Sequence, residues 1–376
     1  MNNKRSPLAG IKVVELARIL AGPWIGQTLS DLGADVIKVE SFAGDDTRQW
    51  GPPWVETNGE SCSAYFHACN RGKHSITLDL KSEEGRSKVL ELLDDADVFI
   101  ENFKVGGLVQ YGLDAQTLTD LFPRLIYCSV TGFGQDGPYA HRAGYDFMIQ
   151  GMSGIMDLTG EPDGQPQKMG VAFADVFTGL YGVIAIQSAL LQRNHSDSGQ
   201  HIDLSLFDSM TGVLANQSMN YLASGKTPTR MGNKHPNIAP YQTFEVSDGH
   251  LIVAVGNDAQ FTRLCTVLEL DELPLDQRFN SNAARVKNRE ALEKLLCEKI
   301  LQWSRDDLLS ALETAVVPAG PINTVEDVFN DPQFIARGMQ IEPDGIPGVR
   351  TPIRFSKSEL SVERRAPGLG EHNDKY

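Results

Sequence analysis

The chain holds 376 residues, 41% of them apolar and 22% charged, which excludes a disordered chain and suits a globular protein of roughly two or three domains. Lys and Arg total 34 against 49 Asp and Glu, a net charge of −15. That balance leaves no broad positive field for a nucleic-acid backbone or an anionic membrane surface, so an anionic ligand would need a local basic pocket.

Read from the N-terminus, the chain opens basic, but Lys12, Glu15 and Arg18 interrupt any apolar core that a signal peptide requires. Residues 11–16 (IKVVEL) have strand composition, 22–32 carry Ile25, Leu29 and Leu32 at helical spacing, and 35–40 (DVIKVE) form a second strand. A crossover that short between two apolar strands implies a parallel βαβ unit. The rhythm repeats with a strand at 76–80, a helix at 82–95, a strand at 98–102, a helix at 114–121 and a strand at 124–130. Such alternation predicts an α/β fold with a Rossmann-like parallel sheet. The dinucleotide fingerprint is missing, because the first strand is followed by ARILAGPWIG and not GxGxxG, so NAD is not expected.

Further on, 172–191 is apolar and punctuated by glycine, which suits a buried helix; its most apolar part, 180–191, is too short to span a bilayer. A strand is expected at 200–206 and one long helix over 208–223. The Gly-, Pro- and Asn-rich stretch 225–240 reads as a linker or active-site loop. Beyond it a hairpin turns at Asp248–Gly249, and helices follow at 258–269, 288–302 and 304–314. This pattern places a large domain at 1–224, completed by 326–376 with a strand at 351–355, and a smaller α+β domain at 225–325. The five cysteines, Cys62, Cys69, Cys128, Cys265 and Cys297, are odd in number and contain no CxxC pair, which favours reduced thiols and a cytoplasmic location.

The eight histidines show no HExxH or related ligand spacing, and His141 with Asp146 is better explained as solvated loop, so no metal is expected. No GxSxG elbow is present. The segment that stands out is GVAFADVFTGLYG, where Asp175 sits among Ala, Val, Phe and Gly without a neighbouring base. A carboxylate is costly to desolvate, so it is either a helix N-cap or a catalytic group, and the residues alone leave both open. Cationic residues at strand ends (Arg18, Lys73, Lys81, Lys104, Arg142) could build the basic pocket, although each taken singly fits ordinary surface.

Taken in order, the segments LAGIKVVEL, AGPWIGQTLSDLGADVIKVE, GDDTR, NRGKHSITLDLK, ADVFIENFKVGGL, PRLIYCSVTGFGQDGPY, GYDFMIQGMSGIM, ADVFTGLYG, GQHIDLSLFDSM, GNKHPNIAPYQ, VPAGPIN, DPQFIARGM and GLGEHND resemble the class III CoA-transferases over nearly the whole chain. The resemblance implies a transferase that uses acyl-CoA and a small carboxylic acid as substrates, with neither metal nor NAD, built as an interlocked homodimer. It assigns Asp175 the nucleophilic carboxylate, passing through an aspartyl anhydride and an aspartyl-CoA thioester. It also implies CoA contacts at Leu20, Ala21, Leu78, Lys81, Asn102, Phe103, Lys104, Arg142 and the turn Gly144–Tyr145–Asp146. Where many relatives carry Arg after the second strand, this chain has Ser41. The stretch GNKHPNIAPYQ replaces the glycine-rich loop of the formyl-CoA transferases, which makes Asn233 and His235 candidates for the acyl side. The look is closest to the branch that exchanges CoA between dicarboxylic acids such as succinate and glutarate, with Arg71, Arg230 and His235 as candidate partners for a distal carboxylate. The alternative within the family is a 2-methylacyl-CoA racemase. Those enzymes place His where this chain has Tyr145, and tyrosine, with an ordinary pKa of about 10, is a poor base at neutral pH.

Overall fold

The computed structural model describes residues 6–57 and 59–376, so the basic residues Lys4 and Arg5 at the start of the chain lie outside it. The chain forms two compact units. One runs to Met156, resumes over Lys168–Lys226 and ends with Pro332–Tyr376; the other combines Asp157–Gln167 with Thr227–Asp331.

In the larger unit the chain follows β1 (Lys12–Glu15), α1 (Ala21–Asp31), β2 (Asp35–Glu40), the ribbon β3 (Trp54–Thr57) and β4 (Glu60–Ser63), α2 (Ala64–Cys69) and β5 (His74–Thr77). It continues through α3 (Glu83–Leu93), β6 (Val98–Glu101), α4 (Ala115–Leu121), β7 (Ile126–Thr131), α5 (Asp146–Met152), α6 (Ile155–Leu158), α7 (Phe173–Ser196), β8 (His201–Ser205), α8 (Leu206–Gly212) and α9 (Ala215–Ser224). Six strands pair in parallel in the order β5-β2-β1-β6-β7-β8. Alternate residues of each strand enter different cores: Val13, Val36 and Ile100 pack with α1 and α7, whereas Val14, Ile37 and Phe99 pack with α3 and α4. Helix starts follow local chemistry, since Ser82 accepts a bond from Gly85 N and Asp114 from Thr117 N.

The glycines of α7 have a packing cause. A Cβ on Gly182 would lie 2.3 Å from Ile25 Cδ1, and one on Gly179 would lie 2.9 Å from Trp24 Cδ1, so α7 can rest on α1 only without side chains there. α7 is also long and apolar enough to cross a membrane by length and composition, but its buried face packs into the sheet core through Val183, Ile186 and Leu190.

Three expectations change. The strand expected at 76–80 ends at Thr77, because the Asp79 carboxylate accepts the Lys81 N–H (2.9 Å) and turns the chain out of the sheet. The single helix expected over 208–223 is two, α8 and α9, broken before Ala215 at φ +47°. The stretch 351–355 forms no strand, since Arg350 gathers the carbonyls of Gly338, Thr351 and Ile353 at 2.7–3.2 Å. The C-terminal segment instead lies along the larger unit, where Arg71 donates to Val349 O (3.0 Å) and His372 N to Ser75 O (2.9 Å).

The second unit is an antiparallel sheet of β9 (Tyr241–Val246), β10 (Gly249–Ala254) and β11 (Ala319–Pro321), covered by α10 (Asp258–Val267), α11 (Asn282–Lys287), α12 (Arg289–Ile300) and α13 (Arg305–Thr314). Phe244, Leu251, Phe261, Leu296 and Leu308 meet in its core. Its loop before β9 is held by two buried arginines: Arg285 donates to Ala239 O (2.7 Å), and Arg289 to His235 O (2.6 Å) and Ile238 O (3.2 Å). All five cysteines are free thiols.

Candidate active site

The strand order reverses between β1 and β6, and ligands in open parallel sheets collect beyond the strand C-termini at such a point. A cavity of about 380 Å³ opens there. Leu20 and Ala21 after β1, Asn102, Phe103 and Lys104 after β6, and Arg142, Gly144, Tyr145 and Asp175 all line it. Leu78 and Lys81 line a second cavity of about 320 Å³, which also contains Ser41 and shares Arg18, Phe103 and Tyr111 with the first. The close approach of two backbones shapes the floor, for a Cβ on Gly132 would sit 2.5 Å from Gly144 Cα.

Asp175 lies in the first turn of α7 but does not cap it; the N-cap is Ala172, which makes no side-chain bond. The capping role belongs to Asp146, whose carboxylate accepts the N–H of Ala174 (2.8 Å) and the Gln150 amide (2.7 Å). Asp146 thus acts on the end of α7 and is absent from the cavity wall. Asp175 is half-buried, and no Lys or Arg among the described residues forms an ion pair with it. Burial, reinforced by the nearby charge of Asp146, pushes its pKa up to about 7. The helix N-terminus favours the charged form, and burial outweighs it. Tyr65 in α2, which sequence reasoning did not single out, senses the same charge: burial and then Asp175 push its phenol above the ordinary value, so it keeps its proton.

The cations sort into two groups. Lys104 and Arg142 are exposed beside the cavity, with the Arg142 guanidinium 4.6 Å from the centre of the Tyr139 ring. Lys73, read as a candidate for the basic pocket, is instead buried on Glu15 (2.9 Å). Arg71 is taken by Asp31 (2.6 Å) and Arg230 by Asp157 (2.9 Å), so neither stands free for a substrate carboxylate. Asn102 spends its side chain on the backbone of Arg18, accepting from its N–H (3.0 Å) and donating to its carbonyl (2.6 Å). Asn233 and His235 belong to the second unit, where Asn233 donates to Thr243 Oγ1 (3.3 Å) and His235 Nδ1 accepts from Asn237 N (3.1 Å). Among the described residues no cluster of three or more His, Cys, Asp or Glu could hold a metal ion.

A model of CoA-transferase family III matches residues 8–373. The chain is 57% identical to a succinate–glutarate CoA-transferase of Agrobacterium fabrum, covering 99% of this chain and 95% of that protein. It is 41% identical to a human succinyl-CoA:glutarate CoA-transferase, over 99% of this chain and 85% of the relative. Among solved structures, a CAIB/BAIF family protein from Brucella suis superposes with a TM-score of 0.89 at 67% identity, over 99% of this chain and 98% of that one.

Proposed function

The chain belongs to CoA-transferase family III, and on that premise we propose that it moves CoA from succinyl-CoA to glutarate, or to a dicarboxylic acid of similar size, with Asp175 as the nucleophile. The observation that carries this reading is the setting of Asp175: a carboxylate of raised basicity, without an ion pair among the described residues, on the wall of a cavity at the switch point of the sheet.

The chemistry divides one exchange into balanced steps. A carboxylate oxygen of Asp175 attacks the thioester carbonyl, the C–S bond breaks, and a mixed anhydride and CoA thiolate result. The thiolate attacks the Asp175 carbonyl, the anhydride C–O bond breaks, and succinate leaves behind an aspartyl-CoA thioester. The acceptor carboxylate then attacks that thioester and expels the thiolate. Attack of the thiolate on the acceptor's carbonyl releases the new CoA ester and restores Asp175. No net proton is consumed. The first turn of α1 has no side-chain cap and no acidic residue, so backbone N–H groups near Leu20 and Ala21 are suited to the oxyanion of each tetrahedral intermediate. Anhydrides hydrolyse, and the apolar surroundings of Asp175 serve to keep water away.

The purified protein, incubated with succinyl-CoA and glutarate, should yield glutaryl-CoA and succinate in equal amounts by mass spectrometry. The peptide containing Asp175 should carry CoA when the acceptor is left out. A protein that binds CoA yet forms no new ester with any of glutarate, mesaconate, itaconate, malate or oxalate would sink the reading. We further propose that the working form is a homodimer. Support comes from Leu180, Tyr181, Ile184 and Leu191, an exposed apolar stripe along one face of α7. Sedimentation should give twice the 41.2 kDa of one chain, and a single-chain mass at micromolar concentration would exclude it.

A further inference from the structure

The turn that leads from β1 into α1 is held in a way that its fold alone does not require. Ile19 has φ +72°, a left-handed conformation that β-branched residues rarely adopt. Three consecutive residues there are fixed by side chains from elsewhere in the sequence. Lys38 Nζ donates to Ala17 O (2.7 Å), and the Asn102 amide brackets the backbone of Arg18. The Ile19 N–H is shared by both carboxylate oxygens of Asp45 (3.2 Å each), and Cys69 Sγ donates to Ile19 O (3.6 Å).

Asp45 is itself set in place. It is 3% exposed, paired with Lys38 (3.0 Å), and accepts from the N–H (3.0 Å) and hydroxyl (2.8 Å) of Thr47. A glycine at position 19 would adopt the same turn without strain and without a buried carboxylate to hold it. The chain uses isoleucine and a clamp, and strain of this kind persists only where surrounding contacts over-determine it, commonly at ligand sites. The strained residue lines the same cavity as Asp175, next to Leu20 and Ala21.

We propose that Asp45 is a positioning residue for CoA: by holding the Ile19 N–H it fixes the turn from Ile19 to Ala21 as a preformed wall of the CoA cavity. It acts through Ile19: it is absent from the wall of the cavity beside Asp175 and lines the neighbouring one with Leu78 and Lys81. The inference rests on the reading that acyl-CoA occupies this cavity.

The test is a double-mutant cycle on CoA affinity, measured by titration calorimetry on the full chain, with Asp45→Asn, Ile19→Gly and their combination. Alone, Asp45→Asn should weaken CoA binding about tenfold; in the Ile19→Gly background the same change should cost less than about twofold, because glycine needs no clamp. An equal loss in both backgrounds, or no loss in either, overturns the proposal, since a role in overall stability would not depend on residue 19. Should Asp45→Asn fail to fold, Thr47→Val replaces it as a milder change that removes one bond orienting the carboxylate. Its smaller loss should likewise vanish with Ile19→Gly, and persistence of that loss overturns the proposal. A wild-type protein that does not bind CoA fails the functional reading itself; binding by wild type with an uncoupled cycle fails this inference alone.

Discussion

Among the carboxylates the larger unit buries wholly or in part, two places treat theirs in opposite ways. Below the β1 turn, Glu15, Asp45 and Glu40 are matched by Lys38, Lys73 and Arg48 at 2.7–3.2 Å. Burial would raise Asp45 and Glu40, but Lys38 with Thr47 around Asp45, and Arg48 with Lys38 and Ser75 around Glu40, together outweigh it and hold both below the ordinary carboxylate range. Lys38 would be lowered by burial, and Glu15, Asp45 and Glu40 together raise it instead. At the start of α7, Asp175 has burial without a cation and a second carboxylate, Asp146, close enough to be felt. Burial is common to both places, and pairing separates them. Asp45 and Glu40, each paired, are held as carboxylates within the structure, and the unpaired Asp175 keeps the raised basicity that a nucleophile uses.

The sharpest way to break this comparison is to neutralise each side. Asp175→Asn should lower CoA exchange by about three orders of magnitude or more, because the covalent route is removed, while CoA affinity changes little. Exchange at near wild-type rate would mean that Asp175 resembles the paired acids after all. On the other side, Lys38→Met strands Asp45 and leaves Glu15 with Lys73 alone, so denaturant unfolding should show a loss of about 3–5 kcal/mol. A loss below about 1 kcal/mol would show that water or rearrangement replaces the cation as readily as at a surface pair.

How much of this could be read from the residues differs between the two places. The cation-free setting of Asp175 was legible because it is local: a lone acid in an apolar helix start is conspicuous. The parallel sheet was legible for a similar reason, since each strand's alternation is local, and β2 has the span its composition suggests. The paired cluster was not. Residues 15, 38, 45 and 73 come from strand ends and loops with no common period, and Lys73 by itself reads as a surface cation. The resemblance implies a CoA contact at Asp146, and its bond to Ala174, which joins two helices across 28 positions, is not visible in the residues. The left-handed Ile19 was hidden more deeply, because isoleucine is among the residues least expected there, and only tertiary contacts hold it.

The comparison is sharpened last, and with the smallest effect, by titration. If Asp175 must be ionised to attack, kcat/KM for the acyl-CoA should fall tenfold per pH unit below about 7. Asp146→Asn keeps an oxygen to accept the Ala174 N–H but removes the like charge, so the acidic limb should move to lower pH by a fraction of a unit; a limb that stays put or moves up contradicts the pairing argument. Stability should carry the same signature with a definite sign. A carboxyl whose folded pKa is raised binds its proton more tightly folded than unfolded, so it takes stability away as pH climbs from about 4, its unfolded value, to about 7. Asparagine at 175 resembles the protonated form throughout. The melting temperature of Asp175→Asn relative to wild type should therefore rise across that window by a few degrees, and stay level above it. For Asp45, lowered and paired, removal should have the opposite sign: the wild-type advantage is present above the unfolded value and is lost as pH falls below it. Melting curves of the two variants, taken from well below pH 4 up to pH 8, would separate the unpaired acid from the paired one without any assay of turnover.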